Sequence, residues 1–323
     1  MSANESQPGK QDVSVPDVIA IVGPTASGKS ALGIEVALEI GGEIINCDSV
    51  QIYSGIEIAT AKVPLAERRS IPHHLIDFVS PTINYTAGDW AREAAVTIED
   101  IRRRGKVPVL VGGTGLYLRA FRHPFFPSPQ TDERLRHRLN ELRARRGAEH
   151  LHRVLQRLDP ESAAELYARD WPRVQRAIEV RLQTGMPMSK QKGARPQPHE
   201  SARKLRLMVL DPPRAALYWR INERTEQHFA AGLVAEVKML LAQGVPANSN
   251  ALGAHGYRRV VEYLAGGRDL ASALEQTKLD VRHYAKRQLT WFRRESGAEW
   301  FAGFGEEKAI QQSVLAALRN DAK

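Results

Sequence analysis

The 323-residue chain has a single cysteine, Cys47. One cysteine excludes an intrachain disulfide and a cysteine-rich zinc site, and makes a reducing cytoplasm the expected compartment. No apolar run approaches the ~20 residues of a membrane span, so no membrane association is expected. The opening MSANESQPGKQDVSV is polar and lacks the apolar stretch of a secretory signal; residues 1–15 read as a disordered tail. Internal repeats and heptad arrays are also missing, so nothing calls for an obligate assembly and a monomer is expected. With Gly 24 and Pro 18, the chain has too little of either residue to be collagenous or low-complexity. Acidic residues are the minority charge: Lys+Arg 46 against Asp+Glu 37 gives a net charge of +9. That balance favours polyanionic partners.

What is present is an alternation of apolar β-rich runs and helical stretches, which predicts α/β layering. Strands are expected at Val18–Val22, Glu43–Asn46, Leu75–Phe78, Val107–Val111 and Leu205–Leu210. They do not alternate apolar with polar residues, as expected for parallel strands covered on both faces. The fold class is therefore α/β: a P-loop nucleotide-type parallel sheet, with an all-helical insertion and a helical C-terminal region. The core is assigned to 16–120 and 203–323, and the insertion to 121–202. Eight arginines and four acids fall between Thr131 and Arg157. A helix is expected from Asp170 as N-cap to Gly185, with Val174, Ala177, Ile178 and Leu182 on one face. Such an insertion reads as a mobile substrate lid or as a solvated helical hairpin with no role. Leu233, Val237, Leu240 and Leu241 form a later apolar stripe, and a final long helix carries RHYAKRQLTWFRRE.

The strongest chemical signal is Gly23-Pro24-Thr25-Ala26-Ser27-Gly28-Lys29-Ser30, a match to G-x-x-x-x-G-K-[ST] between a strand and a helix. Its amides would face phosphate oxygens at a helix N-terminus. Lys29 supplies a point charge and Ser30 can contact Mg²⁺. The loop is thus expected to bind a diphosphate or triphosphate, and ATP or another nucleotide stays open as its ligand. The fourth strand ends in GGTG rather than in the aspartate that would hold a hydrolytic metal. The nearest carboxylate at a strand end is Asp48, and ligands of such sheets bind outside the carboxyl ends of strands. Asp48 is either a general base for an acceptor or a helix N-cap.

Other candidates carry equally open readings. Gly112-Gly113-Thr114-Gly115 permits close backbone approach and offers the Thr114 hydroxyl, or is an ordinary turn. Arg220 and Arg224 share a helical face, as a pyrophosphate clamp or as solvated charges. His73 and His74 are adjacent, point to opposite sides of an extended segment, and are read as structural rather than metal-binding. The Arg282–Arg294 segment interleaves five Lys/Arg with Tyr284, Trp291 and Phe292. That pattern suits RNA phosphates and splayed bases, or a surface helix docking its aromatics into the core.

In order along the chain, GPTASGKS, DSVQIY, GIEIATAK, PHHLID, YTAGDW, GGTGLYL, RVQRAIEV, GLVAEV and YAKRQLTWFRRE resemble the tRNA dimethylallyltransferase (isopentenyltransferase) family. The resemblance runs from about Val18 to Phe301. It implies transfer of a dimethylallyl group from dimethylallyl diphosphate to N6 of the adenosine 3′ to certain tRNA anticodons. The phosphate loop would then hold the allylic diphosphate with Mg²⁺. It further implies Asp48 as general base, Lys29 and Arg220 as catalytic cations, and Arg224 as a secondary diphosphate contact. Asp48, Ser49, Val50, Gln51 and Thr114 would lie near the incoming base. Gln175, Arg176, Ala177, Ile178, Tyr257, Arg282, Lys286 and Arg287 would grip the anticodon stem-loop. One departure is His255-Gly256-Tyr257, where the family carries an apolar residue before Gly-Tyr. A P-loop small-molecule or nucleoside kinase is the alternative, because kinases also pair a phosphate loop with a strand-end aspartate.

Overall fold

A computed structural model describes residues 17–191 and 196–320; the expected tail at 1–15 lies outside them. Contacts divide the chain into two compact units, Met1–Arg122 with His199–Lys323, and His123–Pro198. The sequence reading drew the insertion at 121–202. The difference arises because α3 (Gly115–Arg122), which follows β4 (Val107–Gly112), and α9 (Glu200–Arg203), which precedes β5 (Leu205–Leu210), pack with the first unit.

That unit is built on a six-stranded parallel sheet, whose other strands are β1 (Val18–Val22), β2 (Gly42–Asn46), β3 (His73–His74) and β6 (Ala298–Phe301), in the order β3-β2-β4-β1-β5-β6. Both faces are buried, as the unbroken apolar runs require. Val18, Ala20, Val22, Leu110, Leu207 and Val209 face one side, against α2 (Ala87–Arg103), α3, α11 (Leu233–Ala242) and α12 (Tyr257–Leu264). Ile19, Ile21, Ile44, Val109, Val111 and Met208 face the other, against α1 (Lys29–Ile40) and α14 (Lys308–Asn320). Helices α10 (Arg214–Ala230) and α13 (Leu270–Phe292) pack together beside the loop end of the sheet. The α2 helix starts on a capping box between Thr86 and Asp89 and buries Trp90, Ala94, Ile98 and Ile101 at helical spacing.

Three sequence expectations are corrected here. The third strand is His73–His74, pairing with Ile44 and Ile45, and not Leu75–Phe78. Leu75 and Asp77 have φ of 56° and 55°, left-handed values that cannot continue a strand. A sixth strand pairs with β5 where helix alone was expected. The basic helix is also not the last, because α14 follows it.

The second unit comprises α4 (Glu133–Arg146), α5 (Ala148–Leu158), α6 (Pro160–Glu165), α7 (Trp171–Thr184) and α8 (Met188–Gln191). Leu139, Leu151, Leu155, Val174, Ala177 and Ile178 form its core. Leu182 does not share that face and is 53% exposed. Asp170 stands at the N-cap of α7, but its side chain makes no capping bond; its carboxylate pairs with Arg173 instead. Inside this unit Glu179, fully buried, receives both Nε (2.9 Å) and Nη2 (3.0 Å) of Arg136.

Candidate active site

The phosphate loop bridges β1 and α1, with Gly28 in the left-handed region at φ 81°. At the head of α1, amides without intrahelical partners face the cavity beside the loop, with the positive end of the helix dipole behind them. Lys29 folds over its own loop, Nζ donating to the Pro24 carbonyl at 2.5 Å. Burial pulls the Lys29 ammonium down to about 8, while Asp48 acts in the opposite direction. The loop's other side is tied by Gln288 of α13, whose Oε1 accepts from the Thr25 amide and whose Nε2 donates to the Gly113 carbonyl, both at 2.8 Å. Sequence reasoning missed Gln288, because the residues it joins are 263 and 175 positions away.

Asp48 follows β2, as its strand-end position suggested, but it caps no helix. Its Oδ1 accepts from the amides of Val50 (2.9 Å) and Gln51 (3.4 Å), closing a turn. Asn46 holds the turn from behind: its Oδ1 accepts from the Asp48 amide (3.1 Å) and its Nδ2 donates to the Asp48 carbonyl (3.1 Å). The helix-cap reading is thereby removed. GGTG behaves as a close-approach segment, since a Cβ on Gly112 would lie 2.1 Å from the Cys47 carbonyl oxygen. Thr114 Oγ1 accepts from the Ser49 amide at 3.0 Å, so the two strand-end loops are stitched together.

Two cavities open at this edge. The first, about 710 Å³, is lined by the phosphate loop with Lys29, Ser30, Asp48, Arg220, Arg224 and Glu306. The second, about 570 Å³, carries Val50, Tyr85, Thr114, Phe229, Leu233 and Tyr284 among its walls. Thr25, Ala26, Asp48, Thr60, Ala61 and Arg224 belong to both, so they meet at the Asp48 turn. Arg224 forms no ion pair with a described residue, and burial pushes its guanidinium below the ordinary value. Arg224 is half-buried at this junction, which leaves its guanidinium able to take an anion. Arg220 lies only in the first cavity, where it pairs with Glu306 at 3.2 Å. In the second cavity, burial brings both His228 and His255 to about 4, which keeps them neutral at pH 7. The His255 ring lies 4.9 Å from that of Tyr284. Among the described residues no group of three His, Cys, Asp or Glu gathers as a metal cage. Mg²⁺ usually takes few protein ligands and completes its shell with phosphate and water oxygens. The Ser30 hydroxyl, on the wall of the same cavity as Asp48, fits that use.

Comparison with known proteins identifies the family. An IPP transferase model matches residues 51–295, and an isopentenyl transferase model matches 16–71. The chain belongs to the IPP transferase family. It is 45% identical over 298 residues to a tRNA dimethylallyltransferase of Solibacter usitatus, spanning 92% of this chain and 96% of that one. A second relative of that description, from Geobacter metallireducens, shows the same identity and coverage. Among solved structures, the tRNA isopentenylpyrophosphate transferase of Bacillus halodurans is 35% identical with a TM-score of 0.68, over 94% of this chain and 97% of that one. A eukaryotic dimethylallyltransferase acting on tRNA gives 27% and 0.76, over 94% and 78%. Family membership sets the kinase alternative aside.

Not every residue that the family resemblance assigned to tRNA is available to it. Gln175, Ala177 and Ile178 are 4%, 0% and 0% exposed. They face the core of the helical unit, so a direct RNA contact is corrected; Gln175 Nε2 is spent on the Arg136 carbonyl. Arg176 is more open, yet it bonds Ser128, Pro129 and Glu179. Tyr257 is fully buried, its hydroxyl donating to Glu236 at 2.5 Å and accepting from the Ala59 amide, so it too is corrected to a structural role. Gln51 donates to the Thr60 and Ala61 carbonyls. Lys286 and Arg287 are exposed, Arg282 is half-buried, and none forms an ion pair with a described residue. Phe292 is buried and Trp291 packs against the core, so those aromatics dock inward. His73 and His74 are structural as expected, bonded to the Ile71 carbonyl and to Glu43.

Proposed function

We propose that the chain transfers the dimethylallyl group of dimethylallyl diphosphate to N6 of the adenosine 3′ to the anticodon of certain tRNAs, acting as a monomer in the cytoplasm. The observation that carries this reading is the meeting of two unlike cavities at Asp48 and Arg224. A diphosphate in the first cavity directs its allylic arm past Asp48 into the second. The target base, drawn out of the anticodon-loop stack, reaches the same carboxylate from the other side. The allylic carbon–oxygen bond breaks with both electrons leaving on pyrophosphate, and the N6–carbon bond forms at that carbon. The adenine amine is weakly nucleophilic while its lone pair is shared with the ring. Asp48 accepts the N6 proton, so that positive charge does not build up on nitrogen.

The growing charge on pyrophosphate is met by the loop amides, Lys29, Arg220 and Arg224, which line one cavity. Mg²⁺ would be held by Ser30 and would supply further neutralisation of the leaving group. Arg282, Lys286 and Arg287 of α13 are the proposed phosphate contacts that position the stem-loop.

The test is incubation with labelled dimethylallyl diphosphate, Mg²⁺ and unmodified anticodon stem-loop RNA, without ATP. Label should enter the RNA and disappear when the target adenine is replaced by hypoxanthine. Asp48→Asn should keep both ligands bound while losing about 10²–10⁴-fold in turnover, the usual worth of a general base. Near-normal turnover in that variant removes Asp48 from the mechanism.

A further inference from the structure

Three successive residues after β6 reach back to the phosphate loop. The Gly305 amide donates to the Ser27 carbonyl at 2.9 Å. A side chain at Gly305 would put its Cβ 2.3 Å from the Gly28 carbonyl oxygen, so only glycine allows this contact. On one side of it, the Phe304 ring lies 3.7 Å from the guanidinium carbon of Arg220. On the other, Glu306 accepts from Arg220 Nη1 at 3.2 Å and stands over Gly28, where a Cβ would fall 2.1 Å from its Oε2. The segment is anchored from within: Gln311 donates to the Gly305 carbonyl at 3.0 Å, and Phe304 is buried with Leu217, Ile221 and Ala285.

The two contacts on Arg220 act differently. A guanidinium stacked on a ring is fixed in plane while its N–H edges stay free for acceptors in that plane. Phe304 thus orients Arg220 without consuming its donors. Glu306 does consume one, but both partners of that pair are substantially exposed, 36% and 49% at the side chains. An exposed pair is held weakly. A diphosphate carries more charge and offers several oxygens, and can replace the carboxylate.

We propose that the Phe304–Glu306 strap positions Arg220 for the donor: Phe304 fixes the guanidinium plane, and Glu306 occupies its acceptor edge until the diphosphate takes it over. The proposal rests on the reading of the phosphate loop and Arg220 as the diphosphate site. Phe304 and Glu306 are positioning residues, acting through Arg220.

The test is calorimetric titration of the full chain with magnesium pyrophosphate. Arg220→Ala should weaken binding, and Phe304→Ala should weaken it about threefold to tenfold, the range expected for losing a partly exposed cation–π contact. Phe304→Tyr should restore it. The double variant Arg220→Ala/Phe304→Ala should bind no more weakly than Arg220→Ala alone, because Phe304 acts only through that arginine. Glu306→Gln should bind more tightly than the wild type by about the same factor, since it removes a like charge and a competitor for Arg220. Phe304→Ala should raise the donor KM and leave the RNA KM unchanged. Multiplying penalties for Phe304 and Arg220, or a Glu306→Gln protein that binds no more tightly, overturns the proposal. Should Phe304→Ala fail to fold, the Glu306→Gln result decides. Unchanged affinity in Arg220→Ala removes Arg220 from the donor site and the inference with it. No pyrophosphate binding by the wild type overturns the donor-site reading itself.

Discussion

Replacing Gln288 with Leu tests whether the phosphate loop is held from outside its own sequence. Leucine is similar in size and has no polar atoms, so the packing at this 4% exposed position is nearly kept. What is lost is the bridge from the Thr25 amide to the Gly113 carbonyl, two bonds of 2.8 Å. A buried group left unsatisfied costs about 1–3 kcal/mol. The Gly113 carbonyl should bear that cost in full, since its bond is buried. The Thr25 amide borders both cavities, so water can replace part of its bond. The sum is about 2–4 kcal/mol, reduced by about 1 kcal/mol for the apolar atoms newly buried. Against a total stability of about 5–15 kcal/mol the protein stays folded, and urea unfolding reads the difference. Pyrophosphate affinity should also fall, because the amide at the head of the loop loses its fixed direction. Gln288→Glu separates the two bonds: it can still accept from Thr25, cannot donate to Gly113, and adds a negative charge beside the loop. It should therefore lose more pyrophosphate affinity than Gln288→Leu. A stability loss below about 0.5 kcal/mol with unchanged affinity would refute the bridge as a support of the loop.

Three further outcomes follow from charges removed from water. With its ammonium held near 8, Lys29 loses its charge above that pH in the free protein. Pyrophosphate affinity should then fall by up to about tenfold per pH unit, and a Lys29→Met variant should lack this dependence in pH titrations of binding. The unfolded chain keeps that proton up to the ordinary value of 10.5, so the fold should gain stability from Lys29 between pH 8 and 10.5, seen as a higher urea midpoint. In the helical unit, Glu179→Leu strands the guanidinium groups of Arg136 and Arg176 around a fully buried position. Breaking such a pair costs about 3–5 kcal/mol, the lower end applying here because both arginines are partly solvated. Faster amide exchange confined to residues 133–184 is the expected readout; unchanged protection would show that the pair contributes nothing.

Legibility in the sequence followed the distance between partners. β1, β4 and β5 were readable from apolar runs covered on both faces, and β2 from Ile44-Ile45 just ahead of the strand-end Asp48. The phosphate loop was readable because its donors are consecutive. β3 was not: LID looks more strand-like than His73-His74, and only the left-handed backbone at Leu75 and Asp77 turns it out of the sheet. β6 has four residues, one of them the 38% exposed Trp300, and exists because Leu207–Leu210 leaves an edge to pair. The site divides in the same way. Asp48 and Thr114 could be placed from strand ends alone. Gln288, Tyr284 and Glu306 reach the loop and its cavities only through the packing of α13 and the last strand, for which no local pattern exists. The family resemblance assigned Gln175, Ala177, Ile178 and Tyr257 to RNA, yet Ala177 and Ile178 also lie on the apolar face expected for that helix. Burial decides between those meanings, and a sequence alone does not report it.

The geometry around Asp48 suits the base role proposed for its carboxylate. A carboxylate free in water turns and spends its oxygens on solvent. Here Oδ1 is tied to the amides of Val50 and Gln51, and Asn46 clamps the backbone on both sides of the same residue. Asn46 is in turn fixed by the Leu75 carbonyl, which accepts its Nδ2 at 2.9 Å, while Trp90 Nε1 donates to its carbonyl at 2.8 Å. The Trp90 ring is itself stacked on Tyr117 at 4.9 Å. No described group bonds Oδ2, which leaves one oxygen whose direction is set by the turn. Orientation of this kind saves the reorganisation that a mobile base would require during reaction. It also gives the left-handed break after β3 a chemical consequence. An extended Leu75 would carry its carbonyl along the sheet, and the side chain that aims Asp48 would lose one of its two acceptors.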